Sequence, residues 1–163
     1  MRIGLLSDTH SFLDKRIFEY FKEVDEIWHA GDIGNIEVIE SVIKFKPLRA
    51  VYGNIDDAKM RELYPENLFW ECEGVKFLMT HIGGAPHKYP RRVKNLFAEF
   101  KPAIFICGHS HILRVINDKA NDLLYLNPGA CGNEGFHKVK TIMRFKVSEG
   151  KISELEVIEL HDK

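Results

Sequence analysis

The sequence has few cysteines and no spacing that would organise them. Its three cysteines, Cys72, Cys107 and Cys131, form an odd set without a C-x-x-C pair. Such a set argues against a disulfide framework and is typical of a reducing compartment, so we expect a cytoplasmic protein. Cys107 lies within the apolar run AIFIC and is interpreted as a small hydrophobic core residue.

Long apolar runs and an excess of one charge are also missing. No apolar run approaches the roughly 18 residues of a membrane span, and the start MRIGLLSDTH lacks the pattern of a signal peptide. The formal net charge is −1, which argues against a dedicated surface for nucleic acid or for an anionic membrane. A small phosphorylated ligand is compatible with this charge, and a homo-oligomer is left open.

The 163 residues contain no repeat, low-complexity tract or linker, and we expect one domain over residues 1–163. The first two-thirds alternates strand-like runs with amphipathic stretches, which is typical of an α/β sheet with crossover helices. The last third has strand composition without a helix, including the alternating run VKTIMRFKV at 139–147. These patterns predict an α/β fold in which two mixed sheets pack face to face between helical layers.

Four stretches are predicted to be helical, and two short turns are predicted to close hairpins. The helical stretches carry Ile17, Tyr20, Phe21 and Val24; Ile36, Ile39, Val42 and Ile43; the short segment Ala58–Leu63; and Val93, Leu96, Phe97 and Phe100. The hairpin turns are Glu73-Gly74 and SEGK at 148–151.

Five short apolar strands are each followed by a polar side chain that can bind metal. The sequence IGLLS leads into Asp8 and His10, EIWHAG into Asp32, AVYG into Asn54, KFLMT into His81, and IFICG into His109 and His111. In open α/β sheets, ligands bind beyond the carboxyl ends of the strands. A single residue of this kind is most simply a helix cap or a turn residue. Seven of them at five strand ends predict one shared metal site.

The chemistry of these seven side chains indicates which ions they would hold. Carboxylates, imidazoles and an amide without thiolate suit borderline divalent ions, so we expect Mn²⁺, with Fe²⁺, Ni²⁺ or Zn²⁺ as alternatives. Seven ligands are too many for one ion but suit two ions if one carboxylate bridges them, and such a pair promotes phosphoryl transfer. Two such ions, two carboxylates and a bridging hydroxide leave a positive charge that attracts an anionic ester. The neutral amide of Asn54 preserves that charge.

In chain order, the motifs DTH, GD at 31–32, GNID at 53–56, His81 and GHSH at 108–111 resemble those of the calcineurin-like metallophosphoesterases. Together with chain length and the late LNPGA at 126–130, they resemble the small YfcE-type phosphodiesterases most closely. The resemblance implies a four-layer αββα sandwich. It also implies two ligand sets that share Asp32 as the bridge: Asp8, His10, Asp32 and His111 for one ion, and Asp32, Asn54, His81 and His109 for the other.

We therefore predict a dinuclear metal-dependent phosphoesterase. We expect a phosphodiesterase that cleaves small phosphodiesters with a good leaving group by attack of a metal-bridging hydroxide. Within the metal set, Asp32, Asn54 and His81 are the predicted catalytic residues. The alternative is a non-catalytic metal-binding scaffold of the same fold, like the retromer subunit of this superfamily. The complete set of seven ligands favours the enzyme.

Two residues depart from the pattern of the family. Many relatives carry a histidine that can protonate the leaving group at the position of Ile55, although the YfcE-type subgroup also commonly lacks it. Ile82 follows His81 at a position where glycine is usual.

The other histidines are weaker candidates. His29 lies inside a strand and is predicted to be a core residue or to support a ligand. His87, His137 and His161 lie in polar stretches and are predicted to be solvated, with His87 and His137 as alternative proton donors.

Five further residues have a simple structural interpretation and an alternative near the site. Asp56 and Asp57 are predicted helix N-caps, with a contact from Asp56 to the site as the alternative. Asn127 has turn chemistry, and the resemblance places it near the metal cleft. The basic run KYPRRVK at 88–94 is predicted to be a solvated helix start, with phosphate contact by Arg91 or Arg92 as the alternative.

Overall fold

The computed structural model describes residues 1–162, which form ten strands and four helices. The strands are β1 (Arg2–Leu6), β2 (Glu26–His29), β3 (Leu48–Ala50), β4 (Asn67–Cys72), β5 (Val75–Thr80), β6 (Ile104–Ile106), β7 (Leu113–Asp118), β8 (Leu123–Pro128), β9 (Lys140–Ser148) and β10 (Lys151–Leu160). The helices are α1 (Arg16–Tyr20), α2 (Ile36–Phe45), α3 (Ala58–Leu63) and α4 (Arg91–Phe100). Among residues 1–162, no helix has the length and apolarity needed to cross a membrane.

The strands form two mixed sheets of five strands each. The first sheet has the order β10-β9-β1-β2-β3 and the second the order β4-β5-β6-β8-β7. Strands β1, β2 and β3 are parallel, and β9 with β10 adds an antiparallel hairpin beside β1. In the second sheet β5, β6 and β8 are parallel, while the edge strands β4 and β7 are antiparallel. The predicted mixed sheets are confirmed.

The main core lies between the two sheets. The ring of Trp28 on β2 meets the ring of Trp70 on β4 edge to face, with 4.8 Å between the centroids. On the outer side of the first sheet, Ile17 of α1 and Val42 of α2 contribute to a second apolar cluster. On the outer side of the second sheet, Val93 of α4 belongs to a third cluster. The layers are helix, sheet, sheet and helix, as the αββα expectation required.

The first helix is shorter than predicted. The apolar stripe that begins at Ile17 extends to Val24, but α1 ends at Tyr20 and the chain turns before it enters β2. Phe21 and Val24 are nevertheless buried in the same cluster as Ile17. Apolar side chains at helical spacing can thus share one buried face even where the backbone has left the helix.

Candidate metal centre

Six of the seven predicted ligands lie in two groups at the carboxyl ends of strands from both sheets. The Asp8 group consists of Asp8, His10 and His111, and the Asp32 group consists of Asp32, His81 and His109. Within each group the candidate ligand atoms all lie within 4.8 Å of one another. The seventh residue, Asn54, is exposed and lines a cleft beside His81.

The two groups meet at the carboxylate of Asp32. Its Oδ2 atom is 3.3 Å from Nε2 of His10 and 3.2 Å from Nε2 of His81. The Oδ1 atom of Asp8 is 3.1 Å from Nε2 of His111 and 3.8 Å from Nε2 of His81. Asp32 therefore lies between one histidine of each group, where a carboxylate could serve both.

Each carboxylate has one oxygen bound to the surrounding protein and the other facing the histidines. The Ser7 hydroxyl and the His109 backbone N–H donate to Oδ2 of Asp8, at 2.6 and 3.2 Å. The Ile55 N–H donates to Oδ1 of Asp32 at 3.1 Å. The free oxygens are Oδ1 of Asp8 and Oδ2 of Asp32, so the backbone and Ser7 fix the direction in which each carboxylate offers a lone pair.

Three buried polar atoms in this centre have no hydrogen-bond partner among residues 1–162. They are Oδ1 of Asp8, Nε2 of His10 and Nε2 of His81. An unsatisfied buried polar atom costs about 1–3 kcal/mol, so three of them in one place favour a ligand that compensates this cost. Carboxylate oxygen and imidazole nitrogen are ligands for borderline divalent cations. The residues of this centre thus fit a metal ion.

The backbone of the centre is unusual at five of the six grouped residues. Asp8, His10, Asp32, His109 and His111 have φ of 56°, 45°, 55°, 67° and 60°. Left-handed φ values are uncommon outside glycine and cost of order 1–3 kcal/mol each, and such strain concentrates at functional sites. This conformation also explains how His109 and His111 reach different groups, because the chain has left the extended conformation directly after β6.

Opposite charges shift the pKa values of these candidate ligands. Burial opposes ionisation of Asp8, but the neighbouring imidazole of His10 and the other polar groups around the carboxylate outweigh this and lower the pKa of Asp8. Burial likewise opposes ionisation of Asp32, and His81 outweighs it, so the pKa of Asp32 is lowered. Asp8 raises the pKa of His10, and Asp32 raises the pKa of His81 against the effect of burial. Both carboxylates are therefore anionic at neutral pH.

His29 is buried beside the centre and supports it, as predicted. Its Nδ1 accepts the N–H of Gly31 at 3.1 Å, and its Nε2 is 3.0 Å from the hydroxyl oxygen of Thr9. That hydroxyl donates in turn to the carbonyl of Ile33 at 2.8 Å. Burial lowers the pKa of His29 to about 3, so the ring is neutral. It ties the segment after β1, which carries Asp8, to the segment after β2.

Asp56 and Asp57 have different roles, and the prediction that both are N-caps is wrong for Asp56. Asp57 caps α3 through its side chain. The carboxylate of Asp56 instead accepts the N–H groups of Ile33, Gly34 and Gly53 at 3.2, 2.8 and 2.7 Å. It holds together the segments that follow β2 and β3. The three N–H donors come from two loops that are separate in sequence. The local sequence around Asp56 therefore does not indicate this role.

Asn127 supports the turn that carries His109. Its amide donates to the carbonyl of Gly108 at 3.0 Å and to the hydroxyl of Ser110 at 3.1 Å. Its Oδ1 accepts the N–H of Gly129 at 3.0 Å. The side chain is fully buried, so it acts on the centre through the backbone around His109.

The two departures from the family pattern have simple structural consequences. Ile82 is 41% exposed, and its carbonyl accepts a hydrogen bond from Arg92 at 2.7 Å. Close packing requires glycine one position later, at Gly83, where a Cβ atom would come within 2.6 Å of Cys107. Ile82 thus does not distort the path that buries His81. Ile55 is 45% exposed, and its alkyl side chain offers no proton.

The remaining candidates lie at the edge of the centre. Arg92 lines the same cleft as Asn54 and His81, whereas Arg91 is exposed. His87 is exposed, as predicted.

Two of the three histidines that were predicted to be solvated are exposed, and the third is not. His161 lies at the surface, with its Nε2 atom 2.8 Å from Oε2 of Glu159. The prediction is wrong for His137, which is half-buried with its Nδ1 at 3.3 Å from Nδ1 of His111. His137 lies in an irregular segment far along the chain from His111, and its local sequence gives no sign of this contact.

The chain matches a known family over nearly its full length. Residues 1–150 match the model of the calcineurin-like phosphoesterase superfamily domain, and the chain belongs to this superfamily. This membership supports a phosphoric ester hydrolase that uses divalent metal ions.

Individual relatives agree with this assignment. A probable metallophosphoesterase of Methanocaldococcus jannaschii is 32% identical over 139 residues, covering 80% of this chain and 68% of the relative. A structure described as a novel archaeal phosphodiesterase is 23% identical, with a TM-score of 0.72 over 98% of this chain and 100% of that one. Wild-type Vps29 from Entamoeba histolytica, solved with Zn²⁺, is 16% identical, with a TM-score of 0.72 over 98% and 99% of the two chains. Both structures show the same fold.

Proposed function

We propose that the chain is a phosphodiesterase that holds two divalent ions, Mn²⁺ in the first place, in one domain spanning residues 1–163. The observation that carries the proposal is the meeting of two three-residue groups at Oδ2 of Asp32. All three cysteines are free, which supports a reducing, cytoplasmic location.

In this proposal the two groups have separate ions and share one carboxylate. Asp8, His10 and His111 would hold one ion, and His81, His109 and Asn54 the other, with Asp32 contributing to both. When bound, two divalent ions supply polarisation of the phosphoryl oxygens and a water whose pKa is lowered.

The protein groups around the centre set its charge. Asp8 and Asp32 are ionised and neutralise only part of the charge of two divalent cations. Asn54 is neutral and leaves the residual positive charge to attract an anionic ester. Arg92, held by its bond to the Ile82 carbonyl, adds a second positive charge on the side of the cleft that Asn54 lines. A negatively charged diester is therefore the substrate class that these groups favour.

The absence of a proton donor at position 55 limits which diesters can react. The exposed alkyl group of Ile55 cannot protonate a leaving oxygen. General acid assistance is worth about 10²–10⁴ in rate. A leaving group that is stable as an anion, such as a nitrophenolate, does not need this assistance, whereas an alkoxide does. We propose that the natural substrates have a good leaving group.

The test is hydrolysis of a chromogenic aryl phosphodiester by the purified chain, with and without Mn²⁺. We expect turnover that depends on the metal, with dialkyl esters slower by about 10²–10⁴ at the chemical step. Comparable rates for aryl and alkyl esters would contradict the leaving-group argument. No turnover of any phosphoester with Mn²⁺, Fe²⁺, Ni²⁺ or Zn²⁺ would contradict the enzymatic proposal.

The second candidate function is a metal-binding scaffold of the same fold. It is supported by the structural likeness to Vps29, one structure of which contains Zn²⁺. Metal binding alone therefore does not separate the two candidates. Metal-dependent turnover separates them, because a scaffold does not convert a substrate into product.

A further inference from the structure

The segment from Gly132 to His137 runs back across the Asp8 group. The N–H of Gly132 donates to the backbone carbonyl of Asp8 at 3.0 Å. Gly135 lies so close to His111 that a methyl group there would collide with the imidazole, and its φ of 120° is rarely adopted by other residues. The segment is thus attached to Asp8 at one end and lies against His111 at the other.

The hydrogen bonds of His137 determine which ring nitrogen of His111 carries the proton. Nε2 of His137 is 2.9 Å from the carbonyl of Gly132. A carbonyl can only accept, so Nε2 donates, and Nδ1 of a neutral ring is then an acceptor. Nδ1 of His111 lies 3.3 Å from that acceptor and must donate to it. Nε2 of His111 is left with a free lone pair, at 3.1 Å from Oδ1 of Asp8.

We infer that His137 is a positioning residue for one of the two metal sites, because it holds His111 with Nε2 unprotonated and directed at the Asp8 group. This inference rests on the proposed metal centre. Without an acceptor at Nδ1, His111 can carry its proton on Nε2, where an ion would bind, or rotate away from the group. Loss of such an outer partner typically lowers metal affinity about 10–100-fold.

The effect is confined to one group because the other has its own support. Nδ1 of His81 donates to the backbone carbonyl of Ala30 at 2.8 Å, which leaves its Nε2 free in the same way. A backbone carbonyl persists in any side-chain variant. Replacement of His137 therefore distinguishes the Asp8 group from the Asp32 group.

Three substitutions separate positioning from general damage to the segment. His137→Ala removes both hydrogen bonds. His137→Asn keeps an amide oxygen near the position of Nδ1, where it can accept from His111. His137→Gln places its amide near the position of Nε2, where it can donate to the Gly132 carbonyl but offers His111 no acceptor. His87→Ala is the matched control, since His87 is an exposed histidine on a different loop.

The first measurement is calorimetric titration of metal-free protein with Mn²⁺. We expect His137→Ala and His137→Gln to weaken one of two binding events about 10–100-fold, and His137→Asn to restore it to within a few-fold of the wild type. His87→Ala should match the wild type. Equal weakening of both events, no weakening in His137→Ala, or rescue by Gln but not by Asn would overturn the inference.

The second measurement is ¹⁵N NMR of the imidazole nitrogens in metal-free protein under mildly alkaline conditions. We expect the His111 ring to be protonated at Nδ1 in the wild type and in His137→Asn, and to lose that preference in His137→Ala. A wild-type ring protonated at Nε2 would overturn the inference without reference to any activity. If the ring is protonated at Nδ1 but the wild type binds no metal or cleaves no phosphoester, the proposed function fails and the hydrogen-bond assignment stands.

Discussion

The two halves of the candidate metal centre differ in what holds them in place. In the Asp8 group, the Ser7 hydroxyl binds Asp8 and the His137 ring binds His111. In the Asp32 group, the N–H of Ile55 binds Asp32 and a backbone carbonyl binds His81. The direct contacts to Asp8 and His111 come largely from side chains that a substitution can remove, whereas those to Asp32 and His81 come from the backbone. Residues outside the ligand set can therefore act on Asp8 and His111 more directly than on Asp32 and His81.

The substitution Asp32→Asn should weaken both groups together, because Asp32 lies between them. We expect both affinities to fall, each by more than the ~10–100-fold typical of an outer partner, and diester hydrolysis to be lost. Calorimetry with Mn²⁺ and an aryl diester assay measure the two effects. Asp57→Asn is the matched control, since it makes the same chemical change at a helix cap that asparagine can fill. Retention of two tight sites in Asp32→Asn would refute the shared carboxylate.

Removing one histidine from each group tests the two halves separately. His10→Ala should weaken one binding event and His109→Ala the other, because each residue belongs to a single group. In each variant we expect the two affinities to differ by about tenfold or more. The Asp8 group should be the weaker site in His10→Ala and the Asp32 group the weaker site in His109→Ala. Competition titrations with a chelating dye measure both affinities. If the two variants weaken the same event, the division into two groups is wrong.

The pH dependence of metal binding should be alike in the two halves. The pKa values of His10 and His81 are raised in the metal-free chain, so both rings keep a proton above the ordinary value of 6.5. Protonation of these rings stabilises the metal-free fold below pH 6.5, and this contribution is lost as the pH rises through the raised pKa values.

Bound metal must displace those protons, so affinity should increase over the same window by about tenfold per pH unit for each proton released. Asp8 and Asp32 have lowered pKa values and stay ionised throughout, so they add no slope. Thermal melts with and without Mn²⁺ across this range test the expectation. A metal-induced gain in Tm that does not change with pH would contradict it.

The smallest effect is expected from Ile55→His, which installs the proton donor of many relatives beside the Asp32 group. A catalytic imidazole needs a partner that orients it, and the neighbouring carboxylate of Asp56 already accepts three backbone N–H groups. We therefore expect alkyl diesters to gain less than the full ~10²–10⁴ of general acid catalysis, with aryl diesters nearly unchanged. Single-turnover rates on the two substrates measure this. A full gain would show that another group orients the ring.

The clustering of the candidate ligands could be predicted from the sequence because each follows a short apolar strand. Such strands place their next residues at one edge of a sheet, so Asp8, Asp32 and His81 needed no knowledge of distant contacts. The predicted strands and the αββα layers are confirmed for the same reason, since each rests on local periodicity.

The supporting residues could not be predicted in this way. Asp56 has the local signature of a cap, and His137 the local signature of a solvated loop, yet both contact segments that only the folded chain brings near. The left-handed backbone at Asp8 and His109 was also not predictable, because it is uncommon for any residue except glycine and no turn signal marks these positions. Local pattern thus indicates which side chains are candidate ligands, and tertiary structure determines how they are held.

The pairing of β1 with β9 also determines when the first sheet can be completed. Strand β1 lies inside the first sheet between β2 and β9, so its second edge stays open until the C-terminal hairpin of β9 and β10 has been synthesised. Pairing between segments so distant in sequence is slow, and the unfinished edge is exposed to other chains in the meantime. Asp8 and His10 follow directly after β1. Their surroundings are therefore complete only after this distant hairpin has paired with β1.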